Sequence, residues 1–83
     1  MRVLYFAWVR ERVGVGEEEV APPDGVATVA DLIDWLAGRS EAHADALADH
    51  ARLRAAVDQA FVGPDASVRS AGEVAIFPPV TGG

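Results

Sequence analysis

The stretch "TVADLIDWLAGR", residues 28–39, restricts the possible folds more than any other part of the chain. Val29, Leu32, Ile33 and Leu36 fall at i, i+3, i+4 and i+7, so a helix here carries a single apolar stripe. Thr28 is an N-cap type with Asp31 three residues on, a weaker form of the capping box. Asp31 and Asp34 lie toward the positive end of the helix dipole. Gly38 supplies the stop. Such a stripe must be buried against another layer.

The remaining apolar segments are short and strand-like, so the layer expected beneath the helix is a sheet. Arg2 to Ala7 reads as a first strand, with Val3 and Tyr5 facing one way and Leu4 and Phe6 the other. Trp8, Val9 and Val13 among charges, closing on Gly14, suit a short helical turn. Glu17 to Val20 is a second strand running into the Pro22-Pro23-Asp24-Gly25 turn, which makes a hairpin with an elaborated loop. An alanine-rich second helix is expected from Glu41 to about His50. Leu53 to Val57 is a third strand, Phe61-Val62 starts a fourth, and Glu73 to Phe77 is the last, ended by Pro78. The expectation is an α+β fold, a mixed sheet of about four to five strands with one main helix across one face. Residues 1–77 form the domain and residues 78–83 an extended, flexible tail.

The first and last strands are the most apolar and are placed at the centre. If Val3, Tyr5, Val74 and Ile76 face the helix, then Leu4, Phe6, Ala75 and Phe77 make a second apolar face, with Phe61 beside them. An exposed patch of that kind marks a contact surface. The alternative is that the second helix covers it.

Composition removes whole classes of chemistry. With no cysteine among 83 residues there are no disulfides, thiolate metal sites or cysteine nucleophile, so any sulfur must come from elsewhere. The net charge of −6 argues against nucleic acid as a partner. No apolar run reaches the ~18 residues of a membrane span, and there is no signal-peptide pattern, so a soluble, cytoplasmic protein is expected without a membrane partner. His43 and His50 are two helical turns apart, roughly 10 Å, too far for one metal ion, and read as solvent-facing. Gly14-Val15-Gly16 lacks the lysine of a phosphate loop. Ser40, Ser67 and Ser70 sit in ordinary loop positions without a convincing triad. Glu17 and Glu19 read as a solvated face and Asp58 as a turn former. No metal site or internal catalytic apparatus is expected.

The sequence closes on "FPPVTGG". An α-carboxylate with a pKa of about 3.5 is ionised at neutral pH and a poor electrophile. It becomes a group carrier only when another enzyme activates it, for example as an acyl adenylate. Glycine at the last two positions suits that role, because a tail without Cβ atoms is thin and leaves the terminal carbonyl open. Pro78 and Pro79 hold it off the sheet. Residues 78–83 span about 20 Å when extended, at ~3.3 Å per residue. A frayed terminus is the bland alternative.

These residues resemble the small, sulfur-carrying subunit of molybdopterin synthase, the MoaD family of ubiquitin-like β-grasp proteins. "VLYFAWVRERVG", "TVADLIDWL", "LRAAVDQAFV" and above all "GEVAIFPPVTGG" carry the resemblance over nearly the whole chain. It implies a partner enzyme that uses ATP and Mg to adenylate Gly83, after which a sulfur donor makes the thiocarboxylate. It further implies insertion of the tail into a large subunit, transfer of sulfur to cyclic pyranopterin monophosphate, and a heterotetramer. Gly83 would bear the sulfur. Gly82, Thr81, Val80, Pro79 and Pro78 would thread the tunnel, and Phe6, Phe61, Phe77 and Arg10 would meet the partner. No cofactor is implied for this chain, and acid/base residues belong to the large subunit. Asp58, where relatives often carry asparagine, and "SAGE" at Ser70 to Glu73 depart from the pattern near that contact surface. The alternatives are a carrier for thiazole, tRNA-thiolation or cysteine synthesis, and a ubiquitin-like binding module whose tail is never activated.

Overall fold

The computed structural model describes residues 1–79. Strand β1 (Arg2–Tyr5) leads into helix α1 (Ala7–Val13), and β2 (Glu17–Glu19) returns antiparallel beside β1. Helices α2 (Val29–Ala37) and α3 (Glu41–Ala46) follow, then a 3-10 turn (His50–Arg52), β3 (Arg54–Val57), β4 (Ala60–Val62) and β5 (Glu73–Phe77). The sheet order is β2-β1-β5-β3-β4, with β1 and β5 parallel and the other pairs antiparallel. The most apolar strands therefore do lie side by side in its interior.

The main helix forms as its sequence requires. Asp31 N–H donates to Thr28 Oγ1 at 3.2 Å, while Asp31 Oδ2 accepts from the N–H groups of Thr28 (3.2 Å) and Ala27 (3.1 Å). Those backbone N–H groups, Ala27's first, hold the Asp31 carboxyl below its ordinary pKa. The next free N–H groups of the helix find carbonyls in the loop after β4, Val29 on Ala66 and Ala30 on Pro64. The stripe of Val29, Leu32, Ile33 and Leu36 is buried, with Leu32 and Leu36 wholly so. It packs with Val3, Tyr5, Val74 and Ile76 from the sheet, Val9 and Val13 from α1, Ala46 from α3 and Leu47 just after it in one cluster.

All three helices thus serve the same face of the sheet. The second helix leaves the other face uncovered, which decides between the two expectations for it.

β2, β3 and β4 differ from the sequence expectation by one residue, ending at Glu19 and beginning at Arg54 and Ala60, and β1, α1 and α3 differ more. β1 stops at Tyr5 rather than Ala7, because Ala7 takes a positive φ of 54° that turns the chain into α1. That segment is a two-turn helix, longer than a single turn, and Gly14 closes it at φ 95°. α3 ends at Ala46 rather than near His50. Leu47, 1% exposed, turns inward with φ −110° and ψ 13°, and Asp49 then caps the separate 3-10 turn. Burial of one leucine overrides the helix propensity of the alanines. No helix among the described residues is long and apolar enough to cross a membrane.

Candidate functional site

The uncovered face is built in cross-strand rows. Leu4 on β1 pairs with Ala75 on β5, Ala75 with Ala56 on β3, and Ala56 with Phe61 on β4. One row further along, Phe77 pairs with Arg54, and Phe6 continues the ladder by donating its N–H to Ile76 O at 3.2 Å. Alternation along each strand puts these side chains opposite the buried set. Phe61 is 84% exposed and Phe6 47%, and the rings of Phe61 and Phe77 sit 5.7 Å apart. The alanines leave a low floor between the phenyl rings. The face brings Phe6, Phe61 and Phe77 together at the end from which Pro78 departs.

The opposite end of the same face is charged. Arg2 pairs with Glu73 and lies 3.9 Å from Glu17, and the N-terminal ammonium meets Glu19 at 3.3 Å. Asp58 belongs to this end as well. Asp58 and Gln59, with φ of 47° and 72°, form the two-residue connection between β3 and β4. Asp58 Oδ1 accepts from the N–H groups of Gly72 (3.1 Å) and Glu73 (3.0 Å), tying the turn that presents Phe61 to the start of β5. Asp58 is a turn former, as read from the sequence. The Ser70–Glu73 turn lies beside it, at the end away from the phenylalanines.

Arg10 stands one helical turn after Phe6, its N–H donating to Phe6 O at 3.3 Å. Its guanidinium lies against Gly16, where an added Cβ would come within 2.8 Å of Cζ. It borders the apolar strip rather than lying within it. Pro78 and Pro79 are half-buried and share a cleft with Trp8, Ala51 and Arg52. The expected tail positions Val80, Thr81, Gly82 and Gly83 lie outside the described residues.

A polar knot on the covered side escaped the sequence reading. Glu18, between the exposed Glu17 and Glu19, points inward, and its Oε2 accepts from Tyr5 Oη (2.7 Å) and from His43 Nε2 (2.7 Å). Arg39 approaches Oε1 at 3.5 Å. His43 is therefore not solvent-facing: its side chain is 12% exposed and its ring meets Tyr5 edge-on. Ser40 is not an ordinary loop residue either, since it caps α3 and its Oγ contacts His43 Nδ1 at 2.7 Å. A neutral His43 with its proton on Nε2 satisfies every partner, Ser40 donating to Nδ1 and accepting from the His43 N–H. His50 reaches Asp34 Oδ1 at 2.8 Å and is half-exposed.

Burial would push the Glu18 carboxyl up, but the bonds from Tyr5 and His43 and the nearby Arg39 guanidinium outweigh it and hold it below its ordinary value. Burial, reinforced by Glu18, pushes the Tyr5 phenol far up. Ser40, His43 and Glu18 thus form a serine–histidine–acid chain, contrary to the expectation of none. Ser40 Oγ is committed to the helix cap, so the chain works as a clamp between α3 and the β1–β2 hairpin. Among the described residues no group of three or more His, Cys, Asp or Glu side chains is placed to hold a metal ion.

Residues 3–83 match the model of the ThiS family. The chain is 46% identical, over all of its length and 99% of the relative's, to the molybdopterin synthase sulfur carrier subunit of Escherichia coli (strain K12). It is 35% identical over the same shares to the molybdopterin synthase sulfur carrier subunit of Haemophilus influenzae. Among solved structures, a Pyrococcus furiosus protein provisionally named molybdopterin converting factor, subunit 1, superposes with a TM-score of 0.73 at 31% identity over 95% of each chain. SAMP1 from Haloferax volcanii superposes with a TM-score of 0.73 at 29% identity, over 100% of this chain and 98% of the other. With its five-stranded mixed sheet and helices across one face, the fold is an α+β, ubiquitin-like β-grasp.

Proposed function

The chain belongs to the ThiS family, and from that premise we propose that it is the sulfur carrier subunit of a molybdopterin synthase. The observation that carries this reading is the full-length similarity to two subunits of that name, at 46% and 35% identity. An uncovered apolar face beside the departure point of Pro78 supports it, because a carrier must dock while its tail reaches into a partner.

In this reading residues 78–83 are the working arm and residues 1–77 its handle. A partner enzyme using ATP and Mg adenylates the Gly83 carboxylate and releases pyrophosphate. A sulfur donor then displaces AMP, leaving a thiocarboxylate on Gly83. Phe6, Phe61 and Phe77 dock on the large subunit with Arg10 at their border, and Pro78, Pro79, Val80, Thr81 and Gly82 line the passage inward. Sulfur passes to cyclic pyranopterin monophosphate, two transfers completing the dithiolene, in a cytoplasmic heterotetramer whose acid/base groups belong to the large subunit. This chain supplies positioning and an activated acyl group and binds no cofactor of its own.

Deleting Gly83, or adding one residue after it, is expected to abolish sulfur transfer while folding and docking persist. Full transfer by either variant would sink the carrier mechanism. Intact mass spectrometry of the protein from its native host should show sulfur replacing oxygen at the C-terminus. Co-purification of a different acceptor in place of the large subunit would move the same chemistry to another pathway.

A further inference from the structure

The root of the tail is bordered by an unusual pair of cations. Arg12 Cζ lies 4.9 Å and Arg52 Cζ 4.8 Å from the centroid of the Trp8 indole. Trp8 and Arg52 in turn line the cleft that holds Pro78 and Pro79. Two segments distant in sequence, α1 and the 3-10 turn, are thereby brought to one place by a single aromatic ring.

The charge around this place runs against the rest of the molecule. The chain carries a net charge of −6, yet neither Arg12 nor Arg52 has a carboxylate at ion-pairing distance among the described residues. Arg2 and Arg39 are paired with glutamates elsewhere. Among the described residues Arg54, opposite Phe77, likewise meets no carboxylate and donates to the carbonyls of Ala51 (3.2 Å) and Leu53 (2.7 Å). The end of the fold that releases the tail is therefore cationic beside an apolar strip, while the other end of that strip is a closed set of ion pairs. Whatever takes in residues 80–83 must bring the rim of its cavity against Trp8 and Arg52, because Pro79 already shares a cleft with them, and Arg12 stands on the same indole.

We propose that Arg12 and Arg52, held by Trp8 at the root of the tail, form a cationic collar that docks on carboxylates bordering the tail-receiving cavity of the large subunit. The proposal rests on the carrier reading above and adds to it the chemistry of the partner's rim. Guanidinium fits such a place because it is weakly hydrated, stays charged, and keeps its N–H edge free while its plane lies near an aromatic ring. Nucleotide phosphates are a poorer match. Gly83 is four residues beyond Pro79, about 13 Å of extended chain at ~3.3 Å per residue, so a phosphoryl group on an extended tail sits well away from the collar. The phenylalanines then supply most of the holding and the collar most of the steering, since complementary charge at a rim acts chiefly on the association rate.

The test is the rate at which the purified chain associates with the large subunit from the same host, followed at ~0.05 M and ~0.5 M salt, where screening differs severalfold. Arg52→Glu, and more strongly Arg12→Glu with Arg52→Glu, are expected to slow association roughly tenfold or more at low salt. The gap should shrink at high salt, and dissociation should change little. Arg69→Glu, at an exposed position outside the collar, alters net charge as much as Arg52→Glu and is expected to change the rate less than about twofold. Equal slowing by Arg52→Glu and Arg69→Glu, or none by either, would overturn the collar and leave the carrier reading standing. Failure of the wild-type chain to bind the large subunit at all would overturn both.

Discussion

The two faces of this sheet are made from the same strands by alternate residues, yet they are built for opposite purposes. Val3, Tyr5, Val74 and Ile76 are essentially without exposure and sit under three helices. One residue along, Leu4, Phe6, Ala75 and Phe77 carry comparable apolar character with no helix above them. Side chains on the first face have already gained their hydrophobic stabilisation within the chain, at ~25 cal/mol per Å² buried. On the second face Leu4, Ala75 and Phe77 are only partly buried, and Phe6 and Phe61 have much of theirs still to gain, which is the condition for a surface that binds. Period-two alternation thus separates a structural from a functional role within a single strand.

The largest expected effect comes from attacking the covered face. Leu32→Ala removes a wholly buried side chain from the centre of α2's stripe and should destabilise by about 2–5 kcal/mol. In a domain of this size that lowers Tm by more than about 10 °C. Docking by the fraction that remains folded should be unchanged. Thermal unfolding with binding measured below the transition separates the two, and a binding defect in fully folded Leu32→Ala would break the division between faces.

The converse substitution is Phe61→Asp. Its ring is 84% exposed and touches chiefly Phe77, so stability should fall by no more than about 1.5 kcal/mol. Affinity for the large subunit should fall by about 2 kcal/mol or more, because the carboxylate would be buried unpaired in an apolar contact. Phe77→Asp, half-buried against Phe61, should lose affinity to a similar degree and some stability as well. Calorimetric titration alongside urea unfolding checks both. Undiminished affinity in the pair would mean that the partner sits elsewhere.

Much of this division was legible in the chain itself. The stripe at Val29, Leu32, Ile33 and Leu36 demanded a sheet, and alternation in the first and last strands assigned each residue to its face. What escaped was long-range or local in ways no periodicity carries. His43 looked solvated because its partner, Glu18, is 25 residues away and lies on an edge strand whose register shows only when β1 is beside it. A signal did exist: Glu18 and Val20 share a face, so burying Val20 turns Glu18 inward. The run of three glutamates hid it. The early end of α3 reflects burial of Leu47, and the arginines around Trp8 meet only through tertiary packing. The tail positions stood out in the sequence for their composition, and Val80 to Gly83 lie beyond the described residues.

The smallest expected effect sharpens the comparison by testing the polar group on the covered face. An inward carboxylate on an edge strand discourages strand addition, and here it also joins Tyr5 and His43 across the seam between sheet and α3. Because folding lowers the Glu18 pKa from 4.5, the ionised group contributes stability that is fully present above that value. That contribution is lost as pH falls through the lower folded value. Glu18→Gln keeps the shape but removes the charge, so it should cost about 1–2 kcal/mol near neutral pH. Its unfolding free energy should then fall less steeply than the wild type's as pH drops below 4.5, with the remaining slope owed in part to Asp31, also held low. Urea unfolding across that range measures the two slopes. Parallel curves would mean that the Tyr5–Glu18–His43 knot closes the seam by shape alone. Convergence toward acid would make it an electrostatic clamp on the face that carries the core, with the open face unaffected.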